Sequence, residues 1–373
     1  MASVGDVARV LEAWAPRATA ESYDNVGLLI GDGNSEVRRA LIALDLTPGV
    51  VQEATEGDFD LVVTHHPLIF KPIRSLVSGP FVSGLALQLA RQGISLYAAH
   101  TNLDAAKDGV SFELARTLGL TGTEFLERPS DTVIKLVTFV PKDHEEVVRH
   151  ALGRAGAGAI GDYRDCAFSS PGTGHFRAGT GTDPFIGAPG GRPEAVEEIR
   201  LEVEVARWMV GDVVAALQAA HPYEEVAYDL YPVSQPATNV GFGAVGLLPA
   251  PLSTKDFLSH VRSALSVPVL RWSGPESLEV SRVAVCGGSG ARFLGAASAR
   301  RCQALVTADV SYHAFFEVFD DLGRAEILLI DAGHYETEAA TEDLLLRNLS
   351  RHFPGVQWSK TAIATNPVRY FSA

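Results

Sequence analysis

Five of the eleven histidines, His65, His66, His100, His313 and His334, stand at the ends of apolar runs or beside acidic residues. Imidazole nitrogens and carboxylate oxygens are the common ligands of first-row divalent metals. His334 and Glu338 are four residues apart, so on a helix they stack on one face and can share an ion. Gly333, just before them, lets the backbone approach closely. His65 and His66 are adjacent, and successive side chains of a regular strand point to opposite faces. Either two ions or a distorted strand end resolves this, and Pro67 ends the strand there in any case. A dinuclear site with a bridging carboxylate suits the pair better than a mononuclear one. Nitrogen and oxygen donors favour Zn, Fe, Mn, Co or Ni over metals that seek soft ligands.

Each feature also has an ordinary use. A lone histidine at a strand end often serves as a hydrogen-bonded structural residue. A His and a Glu four apart on a helix form an exposed pair worth little. His100 and Asp104 also fit a turn with a capped helix. Asp24, Asn25 and Asp45 either orient metal ligands or form turns. The joint occurrence of these residues, each after an apolar run, points to metal.

The elements that must position them alternate between strand and helix. Residues 7–14 carry a helical pattern before Pro16. Short apolar runs at 41–44, 61–63 and 94–99 lead into Asp45, into Thr64-His65-His66-Pro67 and into His100-Thr101-Asn102-Leu103-Asp104. Polar residues gathered after apolar strands mark the carboxyl ends where α/β proteins build sites. The rhythm returns from Gly241, with strands at 283–286, 304–307 and 327–330. Asp331 to Glu338 is expected to open a long helix. The Gly287-Gly288-Ser289-Gly290 loop either cradles a phosphate or makes a tight turn, and it is no full dinucleotide or P-loop fingerprint.

The middle differs. A strand at 133–140, a helix at 145–152, a loop-rich stretch at 169–193, a strand at 199–205, a helix at 210–220 and a strand at 226–233 suggest a β-α-β-β-α-β order, the ferredoxin-like plan. The fold expected is one α/β domain in two segments, 1–130 and 237–373, interrupted by a compact α+β insert at 131–236.

Hydrophobic residues make up 46% of the chain and charged residues 20%, the balance of a globular protein. The net charge is -14 and no Lys/Arg cluster runs along the chain, so nucleic acid is not expected as the main partner. Cys166, Cys286 and Cys302 form no Cys-x-x-Cys pair, which points to neither a disulfide framework nor a cysteine zinc site. The N-terminal residues lack a basic start before an apolar run, and no stretch approaches the ~18 apolar residues of a membrane span. A cytoplasmic protein is expected.

Taken in order, Tyr23-Asp-Asn-Val-Gly-Leu-Leu-Ile-Gly31, Thr64-His-His-Pro67, His100-Thr-Asn-Leu-Asp104, Cys286-Gly-Gly-Ser-Gly290, Thr307-Ala-Asp309 with His313, and Asp331-Ala-Gly-His-Tyr-Glu-Thr-Glu338 resemble the motifs of the Nif-three-like family, relatives of NGG-one interacting factor three. The resemblance spans nearly the whole chain, and the insert looks like that of the family's long bacterial members. It implies two divalent transition-metal ions held by His65, His66, Asp104, His334 and Glu338, with Glu338 bridging. His100, Asp45, Asp309 and His313 would support the ligands, or in the case of His100 join them. Ala308 stands where the family usually has Gly. The resemblance further implies an insert similar to the PII and copper-tolerance proteins, and a homohexamer of two trimers with metal sites facing an inner cavity. Family members carry the name GTP cyclohydrolase 1 type 2 homologue. That name implies a metal-dependent hydrolase of a small nucleotide-like or phosphorylated substrate; the alternative is a non-enzymatic metal-handling or regulatory protein with a ligand-sensing insert. His221-Pro-Tyr-Glu-Glu225 and Gly172-Thr-Gly-His175 also look family-like, with no physical role evident from sequence.

Overall fold

The computed structural model describes residues 1–130, 132–235 and 238–371. Positions 131, 236 and 237, where the expected boundaries of the insert fall, lie outside the described residues. The chain divides into two compact units, Met1–Glu127 with Gly241–Ala373, and Arg128–Val240.

The first unit contains two sheets. Its N-terminal segment supplies β1 (Gly27–Ile30), β2 (Arg39–Ala43), β3 (Leu61–Thr64), β4 (Ser95–Ala98) and β5 (Thr121–Glu127). The second unit supplies β6 (Val133–Pro141), β7 (Ala167–Phe176), β8 (Glu194–Ala206) and β9 (Tyr228–Val233). The C-terminal segment adds β10 (Phe242–Ser253), β11 (Arg271–Ser273), β12 (Glu279–Ser289), β13 (Ala304–Ala308), β14 (Leu328–Asp331) and β15 (Gln357–Lys360).

One sheet runs β1-β4-β3-β2-β15 and the other β11-β14-β13-β12-β10-β5. Neighbouring strands run parallel in both: β15, β2, β3 and β4 in the first, β12, β13 and β14 in the second. Parallel strands are covered on both faces, so their sequences read as unbroken apolar runs rather than alternations. Every residue of β3, β4, β13 and β14 is buried, as that rule requires. The parallel strands of each sheet therefore present a set of carboxyl ends, and the loops after β2, β3, β4, β13 and β14 carry the histidines and acids.

The second unit is a four-stranded antiparallel sheet ordered β7-β8-β6-β9. Helices Glu145–Arg154 and Val210–Ala220 follow β6 and β8. Leu136, Val140, Val148, Leu152, Leu201 and Leu217 are among the residues of its core.

Three local expectations are corrected. The stretch at 169–193 is not all loop, because Ala167–Phe176 pairs along β8. It is an exposed edge strand that carries Pro171, which an edge tolerates. The Gly287–Gly290 segment is not simply a loop, since β12 continues through Ser289 with a register shift. The long helix expected after Asp331 is two helices, His334–Glu338 and Thr341–His352. The break falls where the Glu342 N–H bonds Ala339 O, three residues back, tightening the turn.

Candidate metal centre

The candidate residues collect where the two sets of parallel carboxyl ends meet. Asp45 follows β2, His65 and His66 follow β3, and His100 and the short helix Thr101–Asp104 follow β4. Asp309 follows β13, and His334 and Glu338 lie on the helix after β14. Because β3 stops at Thr64, His65 and His66 sit on irregular backbone. Thr64 Oγ1 donates to His66 O at 2.8 Å, and both rings face the cluster with centroids 4.9 Å apart. A distorted strand end thus brings the adjacent histidines together.

Each of four rings is held through Nδ1. His65 donates to the Ala99 carbonyl at 2.7 Å, and His66 bonds Asp45 at 2.7 Å. His100 bonds Asp24 at 2.9 Å, and His334 bonds Asp309 at 2.7 Å. These acceptors place the proton on Nδ1 and leave a lone pair on Nε2. The Nε2 atoms then converge. Those of His66 and His334 are 3.3 Å apart, and lie 3.0 and 3.1 Å from Glu338 Oε2. His65 Nε2 is 3.7 Å from Glu338 Oε1 and 3.7 Å from Asp104 Oδ1.

Lone pairs facing one another at these distances repel unless a cation lies among them. His65 Nε2, Asp104 Oδ1 and Glu338 Oε2 are buried without a hydrogen-bond partner, and such groups are costly to leave unpaired. His65 is 0% exposed and Glu338 3%. Three sets of ligand atoms lie close enough to hold an ion: His65, His66 and His100; His66, His334 and Glu338; and His65, Asp104 and Glu338. Glu338 belongs to two of them, with one oxygen toward each.

Protons and metal compete for this cluster. Burial opposes charge on His66, but Asp45 and Glu338 outweigh it and raise its pKa to about 10. Glu338, against opposing burial, raises His334 to about 9, with help from Asp309. Burial first, then the Glu338 charge, pushes Asp104 up to about 7. Burial would raise Glu338 too, yet the His334, His65 and His66 rings, when protonated toward it, hold it well below the usual range. Asp24 and Asp45 are also held low, against burial, by His100 and His66 respectively.

Of the nine residues picked out from sequence, eight fall at the cluster. His313 joins none of the ligand sets; it opens a 3-10 helix and its ring meets Tyr312. The Gly287–Ser289 segment packs against the site carboxylate. A Cβ on Gly288, whose φ is +58°, would fall 2.3 Å from Glu338 Oε1, so a close approach explains this glycine. Thr307 Oγ1 ties the segment by donating to Gly288 O and accepting from Gly290 N–H. Sequence reasoning missed Thr365, which donates to Asp45 at 2.9 Å, and Ala99, which acts through its carbonyl. Cys286 lies buried nearby, and burial with the Asp104 and Glu338 charges pushes its thiol up to about 12, so it remains protonated.

The fold and the cluster define a mixed α/β protein of several sheets, with buried histidine and carboxylate groups able to bind metal. The chain belongs to the Duf34/NIF3 (NGG1p interacting factor 3) family, whose family model matches residues 2–367. Among similar proteins is a GTP cyclohydrolase 1 type 2 homolog of Halalkalibacterium halodurans, 39% identical over 329 residues, covering 88% of this chain and 87% of that one. A protein of the same name from Bacillus subtilis is 38% identical over 337 residues, covering 90% and 89%. Among solved structures, a Bacillus cereus protein related to NIF3 matches with a TM-score of 0.82 and 35% identity over 99% of both chains. No helix among the described residues is long and apolar enough to cross a membrane.

Proposed function

We propose that His65, His66, Asp104, His334 and Glu338 hold two divalent transition-metal ions of the Zn, Fe, Mn, Co or Ni type, and that the protein is a hydrolase of a small nucleotide-like or phosphorylated molecule. The observation that carries the reading is the convergence of Nδ1-anchored imidazoles on one buried carboxylate. Glu338 directs one oxygen to His66 and His334 and the other to His65, which suits a bridging role.

When bound, two such ions supply Lewis acidity toward a carbonyl or phosphoryl oxygen and lower the pKa of water toward ~7. The protein's own contribution is orientation. Asp45, Asp309 and the Ala99 carbonyl fix three ring planes, and the buried position of His65 keeps bulk water from the back of the site. His100, steadied by Asp24, completes the group formed with His65 and His66. His334 is 38% exposed and Asp309 57%, so this edge offers the entry path.

The names of the relatives support a hydrolytic reading of the GTP cyclohydrolase kind. A second reading, metal handling without turnover, is favoured by the same exposed His334 edge, through which an ion could exchange. The two separate by turnover: metal-loaded protein incubated with GTP and a panel of small phosphorylated metabolites should consume one of them, and Glu338→Ala should not. Stoichiometric release of metal with no consumption would favour the second reading.

We further read the unit around 131–236 as a ferredoxin-like insert of the PII type, supported by its strand order β7-β8-β6-β9 with two helices. The assembly is proposed as a cytoplasmic homohexamer of two trimers, whose inner cavity would admit small molecules rather than nucleic acid. Light scattering giving a stable monomer of 39.7 kDa at micromolar concentration would contradict that assembly.

A further inference from the structure

The second unit carries a cavity of about 660 Å3, within the ~300–1,000 Å3 usual for small-ligand sites. Phe139, Phe176, Phe185 and Tyr223 line it, giving aromatic walls. Among them lies Glu198, only 8% exposed.

The Glu198 carboxylate is poorly compensated for its burial. Oε1 accepts a hydrogen bond from the Tyr223 hydroxyl at 2.7 Å. No cation pairs with it among the described residues, and Arg200, which lines the same cavity, is engaged by Glu202 at 3.0 Å. A buried carboxylate without a positive partner has lost hydration that charge or N–H donors would have to replace. Glu224 and Glu225 add to the acidic side of the lining, where three carboxylates stand against the guanidinium groups of Arg177 and Arg200.

The two sequence motifs that had no role are what hold this carboxylate. In Gly172-Thr-Gly-His175, a Cβ on Gly174 would stand 2.1 Å from Glu198 Oε2; only glycine leaves room for the carboxylate. In His221-Pro-Tyr-Glu-Glu225, buried His221 donates through Nε2 to Phe139 O at 3.0 Å and accepts the Tyr223 N–H at Nδ1, 3.1 Å away. Its ring meets that of Tyr223 edge-on at 4.9 Å, which fixes the tyrosine under the carboxylate. The arrangement is a shaped aromatic slot with one positioned acceptor at its floor.

We propose that this cavity is a binding site for a small ligand with a flat, N–H-donating cationic head, of the amidine or guanidine kind, which donates to Glu198 between the aromatic walls. A flat cation satisfies the carboxylate with two parallel N–H donors and gains from the ring faces. None of these residues belongs to the metal centre, so the inference stands apart from the metal reading.

The test uses the full chain and benzamidine as probe, with benzamide and benzoate as neutral and anionic isosteres, followed by calorimetry and saturation-transfer NMR. Benzamidine should bind at least about tenfold more tightly than either isostere, as expected for a charge-assisted pair. Glu198→Gln, which keeps the shape and an acceptor for Tyr223, should abolish that preference. Tyr223→Phe, which keeps the charge, should bind within about threefold of the parent. If Glu198→Gln does not fold, Gly174→Ala displaces the carboxylate without removing its charge and should lose the preference likewise. No benzamidine binding at millimolar concentration, equal binding of benzamide, or unchanged preference in the Glu198 or Gly174 variant that folds would overturn the proposal.

Discussion

His66 and His334, separated by most of the chain, bring their Nε2 atoms within 3.3 Å of each other. Each ring is anchored from behind by its own carboxylate, Asp45 or Asp309. Neither nitrogen is free to turn away, because rotating either ring would break a 2.7 Å bond. The pair is therefore a preorganised acceptor for positive charge, satisfied by protons or by metal.

The anchoring acids give the first prediction. Asp45→Asn and Asp309→Asn leave every proposed ligand in place but weaken the hold on the ring proton. Metal affinity should fall by ~10–100-fold for each, without loss of fold. Competition against a chromophoric chelator measures this, and unchanged affinity in both variants would show that the carboxylates do not orient the rings.

A second prediction concerns pH. Burial pushes Glu342 up to about 7 from an ordinary 4.5, although the Leu44 N–H it accepts, at 2.9 Å, acts the other way. The folded state then binds more protons than the unfolded chain between those values. Stability from this group is full below the lower value and is lost as pH rises through about 7. Glu342→Gln keeps an acceptor for Leu44 and removes the titration. Its Tm should vary less between about pH 5 and about pH 8, and at the upper end it should be the more stable by ~1–3 kcal/mol. Superimposable curves for the two proteins would contradict this.

The distribution of ligands between the units gives a third. All five proposed ligands lie in Met1–Glu127 and Gly241–Ala373. Replacing residues near 131–236 by a short flexible linker should leave a folded protein with its metal. A folded deletion variant that no longer binds metal would refute the independence of the centre.

Parts of this site were legible in sequence because they depend on local spacing. The four-residue step from His334 to Glu338 predicts a shared helical face. The runs before His65 and His100 read as apolar strands of an α/β domain, and they are unbroken because both faces of these parallel strands are covered. What was not legible depends on contacts between distant residues. Asp24 meets His100 across 76 residues, and Thr365 meets Asp45 across 320; no periodicity encodes such pairs. The Ala99 carbonyl is backbone, so no residue type announces it. The break after Glu338 escaped notice because Ala339 and Ala340 are good helix formers. The edge strand β7 was hidden by its Ser, Gly and Thr content, since an exposed edge needs no apolar alternation.

The most direct test is elemental analysis of the protein reconstituted with Zn, Fe, Mn, Co or Ni and freed of loose metal. The account predicts close to two ions per chain, and loss of most of this metal from the double variant His334→Ala, Glu338→Ala, because both ions lose ligands. Far-UV circular dichroism on the same samples separates metal loss from unfolding. A folded parent protein that retains no metal after reconstitution, or a double variant that keeps its full complement, would contradict the central claim.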